Sequence, residues 1–337
     1  MLAASARPLV EMYDLAMFDL DGVVYIGDDA VPGAPEHLTR ARAAGAHLAF
    51  ITNNASRPPE SVADKLRGLG IDASSHDVVT SAQAAAHVLL ERFGDGAAIA
   101  VLGAAGLETA VAEAGLVPVA VADDQAVAVV SGYGPDVPWR DIMRAAVRVR
   151  DGLPWVASNT DLTLPTPDGI APGHGVLVRM LSRFAGVAPV VAGKPERPLL
   201  DETVRRVGGE RPLMIGDRLD TDIAGAHRAE VDSLLVLTGV TGLAELVAAR
   251  TEERPTYLSP DLAGLFVAHE APLATAGGAW ELGGWSATVD GALRVAGSGE
   301  LGDWWRVVAA AGWQRLDEHG DAADTAGLVP PVDGSAG

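Results

Sequence analysis

The 337-residue chain contains no cysteine, which excludes a disulfide framework and any thiolate metal site. No apolar stretch reaches the ~20 residues that a membrane span needs. The residues ahead of Pro8 are too few for the apolar segment of a signal peptide. Cytoplasm is therefore the expected compartment, with no membrane partner. Positive charge is also scarce: 25 lysines and arginines face 45 aspartates and glutamates, a formal net charge of −20. Phosphate backbones select basic surfaces, so nucleic acid is not an expected partner. An anionic substrate would have to be met locally, by a metal ion and a lysine, rather than by the overall field. Lysine is the scarcest charge, present only at Lys65 and Lys194. Where an arginine-rich chain keeps a lysine, a compact point charge on a flexible stem is a reason to keep it. Lys65, in the stretch 61–69, reads as an exposed helix residue; Lys194 follows an apolar segment and precedes a proline.

What is present points to an α/β enzyme. Four apolar segments each run into a small polar cluster. Residues 15–20 carry Asp19 and lead to Asp21, and 46–51 lead into Thr52-Asn53-Asn54. Residues 190–192 lead into Gly193-Lys194-Pro195, and 212–215 into Gly216-Asp217-Arg218-Leu219-Asp220-Thr221-Asp222. Ligands of open α/β sheets bind outside the carboxyl ends of the strands, so these clusters are expected to meet. Alternate residues of a strand share a face, so Asp19 and Asp21 leave the first strand toward the same space. Gly22 then lets the backbone turn away and approach a ligand closely. Two carboxylates there can hold one divalent cation, and one of them can act as a nucleophile. Each cluster alone has a plainer reading: strand-end acids are mostly solvated, Asn53-Asn54 suits a turn, and Thr221-Asp222 suits a helix N-cap. Four in one order outweigh those readings.

In that order the motifs D-x-D-G-V-x-Y (19–25), T-N-N (52–54), G-K-P (193–195) and G-D-x-x-x-T-D-I (216–223) resemble those of the haloacid dehalogenase superfamily of phosphohydrolases. The variants are similar to the 4-nitrophenylphosphatase-like subgroup, related to phosphoglycolate and pyridoxal phosphatases, over about residues 12–260. The resemblance implies a Rossmann-like core with a parallel sheet and Mg²⁺ as cofactor. Asp19 would be the nucleophile that forms an aspartyl-phosphate, and Asp21 the general acid and then base. Thr52 would donate to the phosphoryl oxygens, joined by the Asn53 amide, with Asn54 and Gly22 in the substrate site, and Lys194 would neutralise charge. Asp19, the Asp21 carbonyl and Asp217 would hold the metal, and Asp222 would orient its waters or the lysine. Dehalogenation on the same scaffold needs no metal and lacks the second aspartate, so Asp21 argues against it.

The expected organisation is core residues 12–82, an inserted α/β cap at 83–188, core again at 189–260, a small α+β unit at 261–318, and a disordered tail from 319 to 337. The stretch between the second and third motifs is too long for a loop. Within it, 159–175 is rich in proline and glycine and reads as a functional loop rather than a strand. Leu164 stands where pyridoxal phosphatases carry a histidine and the phosphoglycolate or glycerol-phosphate enzymes a leucine. That favours a small aliphatic phosphate, first glycerol 3-phosphate, then 2-phosphoglycolate, with nitrophenyl or sugar phosphates as the broader alternative. His174 is a further candidate for touching substrate, although a loop histidine is more often solvated. The C-terminal part, crowded with tryptophans, reads as two short strands and a helix at 301–311. Its Arg294-Val295-Ala296-Gly297-Ser298-Gly299 run matches the pyrophosphate loop of acetyltransferases, but too little chain is present for that fold. It resembles a partial acetyltransferase-like unit, as in actinobacterial glycerol-phosphate phosphatases with an added C-terminal segment. Packing or oligomerisation, leaving a homodimer open, is the expected role; an acyl-CoA-binding module is the rival from a different class.

Overall fold

In the computed structural model, residues 1–166 and 169–331 are described. The chain packs as two compact units, residues 1–48 with those from 209 onward, and residues 49–208. In the first unit, the strands Leu15–Asp19, Pro212–Gly216, Asp232–Val236 and Tyr257–Ser259 pair in parallel, each with the next. Their near-continuous burial is what a parallel sheet covered on both faces demands. The register sets Phe18 opposite Ile215 and Gly216 opposite Leu235, so the carboxyl ends finish side by side. The last strand, of three residues, is too short to leave a periodic signal in the sequence.

The C-terminal segment is an antiparallel sheet of Leu273–Ala274, Trp280–Leu282, Trp285–Asp290 and Ala292–Gly297, followed by the helix Leu301–His319. The helix runs past the expected end at 311. It does not form a core of its own: Trp304, Trp305, Val307 and Val308 cluster with Leu219, Ile223, Leu246 and Leu258 of the same unit. Trp313 is fully buried, and its indole N–H donates to Leu246 O at 2.7 Å. Removing one such side chain costs about 3–5 kcal/mol. The glycine-rich run has a packing explanation. A Cβ at Gly297 or Gly299 would collide with the carbonyl of Gly284 or Gly283, so these glycines permit close backbone approach to the neighbouring hairpin turn. The tail expected to be disordered from 319 also differs. Leu293 N–H donates to Asp324 O at 2.8 Å, Asp324 N–H to Gly291 O at 3.1 Å, and Ala323 is buried. Backbone pairing of this kind does not depend on side-chain composition, which is why a polar stretch conceals it. Residues 332–337 of that tail lie outside the described residues.

In the second unit, Val190–Val191, Trp155–Ala157, Ala128–Ser131, Ala98–Leu102 and Val117–Val119 form a parallel sheet in that order. The helices Trp139–Arg150 and His174–Ala185 bury Ala145, Val149, Val178 and Leu181 against it. Thr52, at the end of the strand His47–Thr52, pairs with Thr80. Thr80 then caps the helix Ser81–Phe93 through a reciprocal box with Gln83. The expected boundary at 82/83 therefore falls inside one helix. The expected loop at 159–175 contains an antiparallel ribbon, Thr163–Thr166 with Gly169–Pro172. A two-stranded ribbon tolerates proline and glycine at its edges, so its composition reads as loop. Among the described residues, no helix is long and apolar enough to cross a membrane.

Candidate functional site

Asp19 and Asp217 end up adjacent because their strands pair in parallel and terminate together, Asp19 as the last residue of one and Asp217 directly after Gly216. The chain then makes a wide helical turn, Leu219–Ile223, that brings Asp222 back. Asp222 Oδ2 accepts from the backbone N–H of Asp217 at 3.2 Å and of Arg218 at 3.1 Å. Carboxylate oxygens of Asp19, Asp217 and Asp222 lie within 4.8 Å of one another, and the last two residues are buried. Like charges held that close, away from water, repel strongly. An all-oxygen anionic set of this kind fits a hard divalent cation. Asp222, expected to act indirectly, is itself one of the three converging acids. Asp21 is exposed and is not one of them; Gly22 beyond it has φ of 87° and donates its N–H to Tyr25 O at 2.8 Å. This tight turn suits a residue without a side chain, and a Cβ on Gly22 would lie 2.5 Å from Asp217 Oδ2.

A loop absent from the sequence reasoning completes the surroundings. Thr238-Gly239-Val240-Thr241 follows the strand Asp232–Val236. Val240 N–H donates to Asp217 Oδ2 at 2.6 Å, the Thr241 hydroxyl to Asp217 O at 2.5 Å, and the Thr238 hydroxyl to Gly22 O at 2.6 Å. A Cβ on Gly239 would fall on the Asp217 carboxylate. The signal was available: this is another polar cluster at the carboxyl end of an apolar strand.

In the second unit, Thr52, Asn53 and Lys194 come together. Lys194 and Thr52 are buried. Thr52 Oγ1 accepts the Asn54 N–H at 3.1 Å, which leaves its O–H as a donor. Asn53 Oδ1 accepts the Lys194 N–H at 2.8 Å, and its Nδ2 donates to Lys194 O at 3.0 Å and to Asp161 Oδ1 at 3.1 Å. Asn53 O accepts from Ser81 Oγ at 2.6 Å and from Asn159 Nδ2 at 2.7 Å. Ser81 carried no recognisable motif, and Asn159 and Asp161 were legible only as the start of the expected functional loop, because their partners lie 28 to 108 positions away.

Asn54 and Leu164 line one open cleft of about 890 Å³, together with Arg57, Tyr133, Asp141 and Arg144. His174, the other candidate for touching substrate, does not line that cleft. It is the first residue of its helix and buried, with Nε2 3.1 Å from Ser131 Oγ, which also accepts the Trp155 indole N–H at 2.8 Å. Burial pushes its pKa down to about 4, so the ring is neutral at physiological pH.

Comparison with known proteins agrees with this geometry. The haloacid dehalogenase-like hydrolase family model matches residues 16–117, and an HAD-hydrolase-like model matches residues 191–265. The D-glycerol 3-phosphate phosphatase of Mycobacterium tuberculosis is 39% identical over 91% of this chain and 88% of its own length. A crystal structure of glycerol phosphate phosphatase from that organism, in complex with magnesium, superposes with a TM-score of 0.83 at 39% identity, covering 91% of this chain and 92% of that one. The 4-nitrophenylphosphatase of Thermotoga maritima superposes with a TM-score of 0.70 at 30% identity, covering 76% of this chain and 97% of that one. The parallel strands ending in converging acids and the similarity along nearly the whole chain lead to one conclusion: this protein belongs to the haloacid dehalogenase-like hydrolases, among phosphatases.

Proposed function

We propose that the protein is a Mg²⁺-dependent phosphomonoester hydrolase acting through a phosphorylated Asp19 on a small aliphatic phosphate, glycerol 3-phosphate first and 2-phosphoglycolate second. The observation that carries this reading is the convergence of Asp19 and Asp217, at the ends of adjacent parallel strands, with Asp222 from the helical turn that follows. The likeness to a D-glycerol 3-phosphate phosphatase supports the substrate, as does Leu164 in the cleft. Asp19, Asp217 and the Asp21 carbonyl, with Asp222 beside them, would hold the ion. When bound, Mg²⁺ supplies charge neutralisation for the phosphoryl oxygens.

In this mechanism an Asp19 oxygen attacks phosphorus as the ester P–O bond breaks, and Asp21 gives its proton to the departing alkoxide. Asp21, now ionised, takes a proton from water. The water oxygen attacks phosphorus and releases the Asp19 carboxylate and inorganic phosphate. Thr52 and Lys194 serve the phosphoryl group by hydrogen bonding and opposite charge, as the family pattern implies. Phosphoryl transfer through a loose transition state asks for positioning and charge neutralisation more than for covalent machinery. The stretch 83–188 acts as the cap that selects the leaving group, and the C-terminal unit serves packing.

Phosphate release tests this with glycerol 3-phosphate, 2-phosphoglycolate, pyridoxal phosphate, a sugar phosphate and 4-nitrophenyl phosphate, each with Mg²⁺ and with EDTA. Glycerol 3-phosphate should be preferred, and Asp19→Asn should lower kcat by on the order of 10³ or more. No turnover of any substrate with Mg²⁺ would defeat the enzyme reading.

A further inference from the structure

The geometry points to Asn53 as a positioning residue, whose side chain ties the Leu164-bearing segment to the backbone of Lys194. This rests on the phosphatase reading above, in which Lys194 serves the phosphoryl group and Leu164 meets the leaving group. Only the main-chain amide of Asn53 has a part in that reading; its side chain is engaged elsewhere. Oδ1 accepts the Lys194 N–H at 2.8 Å while Nδ2 donates to Lys194 O at 3.0 Å. One amide thus pairs with both backbone groups of one residue, as a neighbouring strand would. The second N–H of Nδ2 reaches Asp161 Oδ1 at 3.1 Å. All three bonding positions of the amide that face protein are therefore used, and no other side chain of that length offers one acceptor and two donors.

The consequence follows from where the two partners lie. Lys194 is buried, so its backbone position sets where its ammonium can reach. Gly193 beside it has no room for a side chain, since a Cβ there would lie 2.6 Å from Asn53 Oδ1. Asp161 anchors the start of the segment that carries Leu164: its N–H donates to Asn159 Oδ1 at 3.1 Å, and its carbonyl accepts the Gly175 N–H at 2.8 Å. Asn159 in turn donates to Asn53 O at 2.7 Å. One residue of the second motif therefore holds both the lysine of the third motif and the ribbon Thr163–Thr166 with Gly169–Pro172. Loss of the Asp161 bond should loosen substrate recognition, and loss of the Lys194 bonds should slow the chemical step.

Kinetics separate the two functions, using the panel substrate that the wild type turns over fastest, with Mg²⁺. Asp161→Ala should raise KM about tenfold with kcat within about twofold. Asn53→Ala should lower kcat by about 10²-fold, because a misplaced catalytic group costs that much. Asn53→Asp places a carboxylate against both Asp161 and the Lys194 carbonyl, so both parameters should worsen. Adding Asp161→Asn restores a donor–acceptor pair between positions 53 and 161 but not the donor to Lys194 O. The double variant should recover most of the KM while kcat stays low, a pattern that general loss of fold would not produce. Unchanged KM in Asp161→Ala, or a double variant no better than Asn53→Asp, overturns the inference. With an active wild type, such a result leaves the phosphatase reading standing; an inactive wild type overturns both.

Discussion

Replacing Asp217 by asparagine probes the acidic site without touching Asp19. At 4.8 Å, the outer separation among the three acids, two negative charges in an effective dielectric of about 20 repel by about 3.5 kcal/mol. Asp217 has two such neighbours, and 4.8 Å is the widest separation, so with all three acids ionised removing its charge relieves about 7 kcal/mol or more. The amide retains an oxygen for the Val240 N–H, and weakening that charge-assisted bond costs about 1–2 kcal/mol. The metal-free variant should therefore be more stable than the metal-free wild type, by several kcal/mol. Magnesium acts in the opposite direction. A ligand at a hundred times its Kd adds about 2.7 kcal/mol, which the wild type should gain and a site with two acids should largely lose. Urea unfolding of both proteins, in EDTA and in saturating Mg²⁺, reads all four stabilities. Equal Mg²⁺ increments in the two proteins, or a metal-free variant clearly less stable than the wild type, would refute the reasoning.

Two further predictions concern residues outside the motifs. Gly239→Ala sets a methyl group against the Asp217 carboxylate, so Mg²⁺ affinity measured by calorimetry should fall about tenfold or more; an unchanged affinity would remove the 238–241 loop from the site. His174 has its folded pKa depressed by burial to about 4, below the ordinary value of about 6.5. Its contribution to stability is whole above the unfolded pKa and is lost as pH falls from there toward 4. At pH 5.5 the loss is about 1.4 kcal/mol. The stability difference between pH 7.5 and pH 5.5 should be smaller by that amount in His174→Gln, and equal differences would contradict the assignment.

Much of the core was legible because buried parallel strands write themselves as continuous apolar runs. The segments ending at Asp19, Thr52 and Gly216 stand where their composition places them. Other features left no such trace. The ribbon of Thr163–Thr166 with Gly169–Pro172 has four residues in each strand, too few for a long alternation. The pairing of Asp324 with Gly291 and Leu293 is entirely main chain. His174 looked like a loop residue until the packing of Ser131 and Trp155 enclosed it. The 238–241 loop obeyed the same strand-end rule as the four motifs, but its threonines and glycine carry no charge to draw notice.

Sequence by itself determined the chemistry on offer: acids, a hydroxyl and a rare lysine at the ends of apolar strands, in an order that specifies a phosphate-handling α/β hydrolase. Tertiary structure decided how those groups are used. It placed the Asp222 carboxylate beside Asp19 and Asp217, and it turned the Asn53 amide onto Lys194 and Asp161. Local composition fixes what a side chain can donate, accept or repel. Which partner it meets a hundred or more residues away depends on the path of the backbone between them, and only the packed chain sets that path.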